Sequence, residues 1–360
     1  RDELLYGHGV LPPVVGALRS DEDVPVGEVV LRLLSAHERA WGLRQPVAQP
    51  GAAPSGGWEA SDAEVAMHVA LERGTVPRPD GSSRDDVGHV VVLDGVLDGE
   101  AAAELRDAVT EPGWDHGCGS PPPARWAREV TDVEPEEGGE DDCSSEAPPS
   151  WGLREDARAE LSGADAPAAL QELRVRLQAL FPEWDVCEMP SDALSPGGLG
   201  GGVVPVVANA AVHGDAFQWH RDFEPAEVSP DAPWAERFGL YCNREEGRPL
   251  FVSALVYLDP GWPLHFDAET LFLDPGTDTG VFVRPRPGRL VLMEQDVLHR
   301  VSAPSPLAGR PRYSLVLKLV MFPRPGRGAG APSTISRPEW GEPVRVGTAA
   351  PPTPGAATVN

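Results

Sequence analysis

Apolar and polar positions follow two rhythms along this chain, and the rhythm changes near residue 200. Upstream, apolar residues recur at helical spacing. Val26 to Leu43 carries Val30, Leu31, Leu33 and Leu34 on one side, which predicts a helix with one buried face. Ala60 to Glu72 reads as a second helix, with Ser61 in position to cap it, and the intervening QPVAQPGAAPSGG reads as linker. His89 to Leu93 is a β-branched run closed by Asp94-Gly95, so a strand is expected there. A helix is expected from Asp98 to Val109 and another from Ala166 to Phe181, where Leu170, Leu173, Leu177 and Leu180 share a face. Downstream the period shortens. VVPVV, LFVSALVYLD, ETLFLD, VFVRP, RLVLM and YSLVLKLVMF are short β-rich runs separated by Gly- and Pro-containing turns. That succession predicts an all-β sandwich or barrel over 203–322, a jelly roll of about eight strands being the natural match.

Composition divides the chain further. Gly numbers 39 and Pro 40 of 360 residues, more than an ordinary globular domain carries, which implies long irregular stretches around a smaller ordered centre. The Pro-, Gly- and acid-rich stretch 114–151 is expected to be a solvated, disordered insertion, and 323–360 a disordered tail. The expected organisation is therefore a helical and linker extension over 1–85, a main ordered domain over 86–322, and the tail. The net charge of −26 argues against a nucleic-acid partner. No run of about 18 apolar residues predicts a membrane span, and no charged-then-apolar leader follows Arg1. Cys118, Cys143, Cys187 and Cys242 lack the spacing of a zinc site or a disulfide framework, and the compartment stays unassigned.

Candidate chemistry concentrates in the β zone. A mononuclear oxygen-activating iron takes two imidazoles and one carboxylate, leaving open positions for co-substrate and oxygen. His-x-Asp supplies two such ligands from alternate residues of one strand end. The pattern occurs as His213-Gly214-Asp215, His220-Arg221-Asp222 and His265-Phe266-Asp267, and alone it is a weak signal.

Context separates the three. GDAFQWHRD (214–222) resembles the segment leading into the metal ligands of the prolyl 4-hydroxylase-like 2-oxoglutarate/iron(II) oxygenases. Glu269 to Leu273, Pro287 to Leu292, His299-Arg300-Val301 and GRPRYSL (309–315) are similar to that family's later strands, in order, over about 203–322. HVVVLDGVLDGEAAAEL resembles its opening strand and helix. The resemblance implies an α+β fold with a double-stranded β-helix (jelly-roll) barrel, flanking helices and disordered insertions. It implies His220, Asp222 and His299 as ligands of Fe(II), and Arg312 with Ser314 as the grip on the distal carboxylate of 2-oxoglutarate. Arg310 competes for that role, and the Arg-x-Ser pattern selects Arg312. The implied activity is hydroxylation of a C–H bond with O2, releasing succinate and CO2, with ascorbate as reductant. Because Asp222 retains its carboxylate, hydroxylation is favoured over halogenation. The substrate is peptidyl, an amino acid or a small molecule.

Some positions depart from the family. The place of its co-substrate Tyr is Ala211, and Asn209, Tyr257 or Tyr241 are candidates to replace it. His265 to Asp267 and His213 to Asp215 are expected in turns. Trp219 and Arg221 flank the ligands as candidate substrate contacts. In the long segment 223–248, expected to be a lid or recognition element, Asp231, Trp234, Arg237 and Arg244 are further candidates. Two other classes stay open: a non-catalytic binding module on the same barrel, and a cupin-type metal oxygenase that does not use 2-oxoglutarate.

Overall fold

The computed structural model describes residues 38, 42–77, 83–110, 124–129, 150–162, 166–191, 199, 204–215, 217–324 and 333–347. Most of the expected helix over Val26 to Leu43 and most of the acidic stretch lie outside these residues. Fourteen strands are present among them. The first seven are β1 (Gln45–Pro46), β2 (Glu64–Pro77), β3 (Ser83–Asp94), β4 (Trp126–Glu129), β5 (Ser150–Leu153), β6 (Trp184–Glu188) and β7 (Val206–Ala211). The remainder are β8 (Leu250–Tyr257), β9 (Thr270–Asp274), β10 (Thr279–Val283), β11 (Leu290–Glu294), β12 (His299–Val301), β13 (Arg312–Pro323) and β14 (Val344–Val346). The helices are α1 (Gly99–Val109), α2 (Glu155–Ser162), α3 (Ala168–Leu180) and α4 (Pro233–Phe238).

Eleven strands form one sheet with the path β14-β2-β3-β11-β8-β13-β7-β5-β4, and β6 pairs with both β13 and β1. A second sheet has the order β10-β9-β12. On one face of the large sheet, Leu105 and Val109 of α1 and Leu170, Leu173 and Leu177 of α3 pack on Val256, Leu292, Leu315 and Leu317. On the other face Val90, Leu255, Tyr257, Val291 and Val316 pack against Phe272 and Val283 of the small sheet. β13 is therefore covered on both sides, which is why its sequence is apolar almost throughout rather than alternating. The two sheets face one another as layers. No ladder joins them into a closed barrel among the described residues, so the fold is a facing pair of sheets, consistent with a jelly roll but without the expected closed barrel.

Several elements differ from the sequence reading. Ala60 to Glu72 is not a helix. A single 3-10 turn at Ala60–Asp62 leads into β2, and Ser61 caps nothing. The sequence EVAMHVALE fits a period of two as well as 3.6, and twelve residues of pairing with the Val-rich β3 decide for the strand. Within 114–151, β4 and β5 pair with each other, β5 continues onto β7, and Trp126 is fully buried against Tyr313. In the stretch read as tail, Ile335 is buried and β14 adds a parallel strand to β2. The helix after Asp98 forms as expected, capped by the Asp98 carboxylate accepting from Ala101 N at 2.8 Å. No described helix is long and apolar enough to cross a membrane.

Candidate metal centre

Alternation along β13 sends Arg312, Ser314, Val316 and Lys318 to the face that looks at the small sheet. The register sets Ser253 of β8 opposite Lys318, and Tyr257 opposite Ser314. On the other side of β13, Asn209 lies opposite Ser314 and Ala211 opposite Arg312. The intersheet layer thus carries a row of polar groups between walls of Leu255, Val316 and Phe272.

At one end of this row lie His220, Asp222 and His299. A single isolated bridge pairs His220 with His299, their backbones exchanging N–H to carbonyl bonds of 3.0 and 2.9 Å. Asp222 N and Phe223 N both donate to Gln295 O, so the Asp222 strand end is tied to the turn before His299. One ligand atom from each of the three residues lies within 4.8 Å of the other two. Among the described residues no other group of three His, Cys, Asp or Glu is so gathered.

The hydrogen bonds prepare these side chains as donors of lone pairs. His220 Nδ1 lies 2.9 Å from Gln218 O, and His299 Nδ1 lies 3.0 Å from Val297 O. A carbonyl only accepts, so each Nδ1 carries the proton and each Nε2 presents its lone pair. Burial pulls His299 down to about 4, opposed by Asp222 and reinforced by His220, so its imidazole is neutral. For Asp222, burial alone would raise the carboxyl. Lys318, His299, the Ser253 hydroxyl and His220 outweigh it and hold the group at about 2. Ser253 Oγ donates to Asp222 Oδ2 at 2.5 Å, and Lys318 Nζ stands 3.3 Å from Oδ1.

Farther along the row is Arg312, fully buried. Its Nη2 donates to Ser314 Oγ at 3.1 Å, and its guanidinium lies 5.3 Å above the Tyr257 ring. Its Nε and Nη1 have no hydrogen-bond partner among the described residues. Burial pulls the guanidinium below its ordinary value, opposed by Tyr257, Asp259 and Glu269. A buried cation with two unmatched donors is costly unless an anion completes it. Tyr257 is held beneath it by its hydroxyl, which donates to Thr270 Oγ1 at 2.6 Å.

No protein-family model matches the chain, and no curated protein matches it. Among solved structures, a prolyl-4-hydroxylase from Pseudomonas putida aligns over 65% of this chain and 92% of its own. The identity is 17% and the TM-score 0.32. A prolyl hydroxylase from Trichoplax adhaerens, in complex with a hypoxia inducible factor oxygen degradation domain peptide fragment, aligns over 65% and 83%. Its identity is 14% and its TM-score 0.36. SnoN, a non-heme alpha ketoglutarate dependent epimerase from nogalamycin biosynthesis, aligns over 68% and 87% at 15% identity, with a TM-score of 0.35.

The other residues singled out in the sequence lie elsewhere. Arg310 reaches outward to Gly261 O and over the Trp262 ring at 5.4 Å, leaving Arg312 as the buried guanidinium. Tyr241 is remote from the row, its hydroxyl donating to Pro249 O at 2.9 Å. Trp219 stacks on Arg300 at 4.9 Å, on the side of the small sheet opposite His299, and Arg221 is exposed. His213 and His265 are exposed, and their motifs form turns. Asp215 accepts from Val212 N, while Asp267 and Ala268 both have positive φ.

Segment 223–248 packs into the protein. Trp234, Phe238 and Tyr241 join Phe251, Val320 and Phe322 in one cluster. Arg237 pairs with Glu38 at 2.7 Å, and Arg244 is buried among Asp86, Glu294 and Asp296. These three side chains are therefore structural, and of the four candidates there only Asp231 is exposed. Ser253 and Lys318 were missed by the sequence reading. Their signal was present: each is a polar residue inside an otherwise apolar strand, LFVSALVY and RYSLVLKLVMFP.

Proposed function

We propose that this protein is an Fe(II)- and 2-oxoglutarate-dependent dioxygenase that hydroxylates a C–H bond of a peptidyl, amino-acid or small-molecule substrate. The observation that carries the reading is a single face of β13 serving two chemistries. Lys318 and its neighbour Ser253 hold the carboxylate of a His-Asp-His group, and Arg312 waits on the same face with two unmatched donors. The donor set fits the metal: two imidazoles whose Nδ1 is held by a backbone carbonyl, which leaves Nε2 toward the site, and one ionised carboxylate make the facial triad of non-haem iron.

His220, Asp222 and His299 would hold the iron. Arg312, with Ser314, would grip the distal carboxylate of 2-oxoglutarate through the fork of its guanidinium. Tyr257 supports that guanidinium from below, and Asn209, opposite Ser314, flanks the same position. Leu255, Val316 and Phe272 exclude water between the two ends, which strengthens both the metal contacts and the ion pair. When bound, the iron and 2-oxoglutarate supply the oxidising power taken from O2, with succinate and CO2 as co-products.

The test needs no substrate. Apo-protein loaded with Fe(II) under nitrogen and titrated with 2-oxoglutarate is expected to develop a visible metal-to-ligand charge-transfer band. His299→Ala should lose both iron and band, and Arg312→Met should keep the iron and lose the band. Failure of the wild-type chain to bind iron would sink the metal assignment. Iron binding without a band would sink the co-substrate assignment alone.

A further inference from the structure

A concave site distinct from the His-Asp-His group lies where the start of β2 faces the end of β10. The cavity has a volume of about 490 Å³ and is lined by Ala66, Met67, Val92, Phe282, Val283, Pro285 and three arginines, Arg284, Arg286 and Arg289. That volume falls within the range of small-molecule sites. None of its lining residues belongs to the His-Asp-His group or to the Arg312 grip.

Two features of the backbone build it. β2 carries a bulge between Val65 and Met67, where it pairs with Leu93 and Val92. A bulge adds a residue to one strand and turns its side chains away from the regular alternation, here toward the cleft. The opposite rim is the turn Arg284-Pro285-Arg286-Pro287-Gly288-Arg289. Two prolines stiffen it. Gly288, at φ 69°, is the position where a Cβ would meet Leu97 O at 2.8 Å. Three guanidiniums are thus presented by a rigid turn, in a chain whose net charge is −26.

Their partners do not use up their donors. Arg289 forks Asp94 through Nε and Nη2 at 2.9 Å each, and Arg286 reaches the same carboxylate through Nη1 at 2.9 Å. One carboxylate therefore serves two cations. Arg284 donates Nη2 to Trp262 O, but its Nε is buried without a hydrogen-bond partner among the described residues, and Glu269 stands 3.9 Å away. Beside this cationic rim the wall is apolar. Val92 and Val283 are buried, and Phe282 is 59% exposed although it borders the cavity.

We propose that this cleft is a ligand site for a small amphipathic anion, its carboxylate or phosphate head on Arg284 and Arg286 and its apolar body against Met67, Val92, Phe282 and Val283. A guanidinium fork matches either head group. The adjoining apolar wall selects against a bare inorganic anion.

Calorimetric titration of the full chain at low salt with octanoate, and separately with octyl phosphate, tests this. One saturable site is expected for at least one probe, and the tighter probe identifies the head group. Binding should weaken about five- to tenfold in Arg286→Gln, whose side chain is 64% exposed and whose partner Asp94 stays forked by Arg289 in the variant. It should also weaken in Phe282→Ser, and it should be unchanged by saturating 2-oxoglutarate. No saturable binding of either probe, equal binding in Arg286→Gln, displacement by 2-oxoglutarate, or equal binding of uncharged 1-octanol would each overturn the proposal.

Discussion

Arg244 forks the carboxylate of Asp296, with Nη1 to Oδ1 at 2.8 Å and Nη2 to Oδ2 at 2.6 Å, three residues before His299. The same guanidinium binds Glu294 at 2.8 Å and Asp86 at 2.5 Å, and Arg73 approaches Asp296, Asp86 and Glu224 from the other side. Burial alone would push the Asp296 carboxyl up, but Arg244 and Arg73 hold it well below the usual range. Gln295, whose carbonyl receives Asp222 N, sits inside this clamp.

Removing the clamp should therefore be severe. Arg244→Met leaves Asp86, Glu294 and Asp296 buried with a single cation between them. The expected loss is about 3–5 kcal/mol of folding stability, read from urea denaturation. A loss below about 1 kcal/mol would mean that the carboxylates find water or other partners in the variant.

Ser253→Ala should weaken metal binding with little change in fold. The hydroxyl donates to Asp222 Oδ2 and orients the carboxylate, and loss of such an outer contact typically costs about 10–100-fold in metal affinity. Anaerobic Fe(II) titration of the wild type and the variant measures it. Equal affinities would show that Lys318 alone suffices to hold Asp222.

Arg312→Met should separate stability from function. It replaces a buried cation with two unmatched donors by an apolar side chain, so the apo-protein is expected to gain on the order of 1–3 kcal/mol. The 2-oxoglutarate-dependent band should vanish in the same variant, and Arg312→Lys should not restore it, because an ammonium lacks the planar fork. A destabilised Met variant would mean that the guanidinium is already compensated in the folded chain.

Asp259 predicts a pH dependence. Burial pushes its carboxyl up to about 6, against the Tyr313 N–H, Arg312 and Arg310, which pull it down. The folded chain therefore holds this proton more tightly than the unfolded chain, whose value is near 3.8. The resulting stabilisation is present below about pH 4 and is lost as pH rises through about 6. The difference corresponds to about 3 kcal/mol. Asp259→Asn removes this loss, so its stability relative to wild type should rise between pH 4 and pH 7.5, as followed by urea midpoints. A constant difference across that range would show that Asp259 titrates normally.

Much of the β zone was legible in the chain itself. Runs such as LFVSALVYLD and RLVLM became β8 and β11 because β-branched and large apolar residues suit a sheet covered on both faces. The His-x-Asp spacing occurs three times and did not choose among its copies; the order of the surrounding motifs singled out His220, Asp222 and His299, whose ligand atoms lie within 4.8 Å of one another. The helix expected from Asp98 to Val109 forms over Gly99–Val109, and the structure adds the Asp98 cap. Ser253 and Lys318 were visible only as unexplained polar residues within apolar strands. Their purpose follows from the β8–β13 register, which sets them side by side under Asp222.

Other features depend on partners far away in the chain. Ala60 to Glu72 has a pattern that fits helix or strand, and pairing with β3 decides it, because β propensity is largely a matter of the neighbours a strand packs against. Trp234 and Arg244 read locally as exposed loop residues. One fills a cluster with Phe251 and Phe322, and the other neutralises carboxylates 158 and 52 residues distant. Residue type and short spacing specify which groups can bind a metal or grip a carboxylate. Burial, register and the balance of charge around each group are long-range properties, and these arise only when the strands come together.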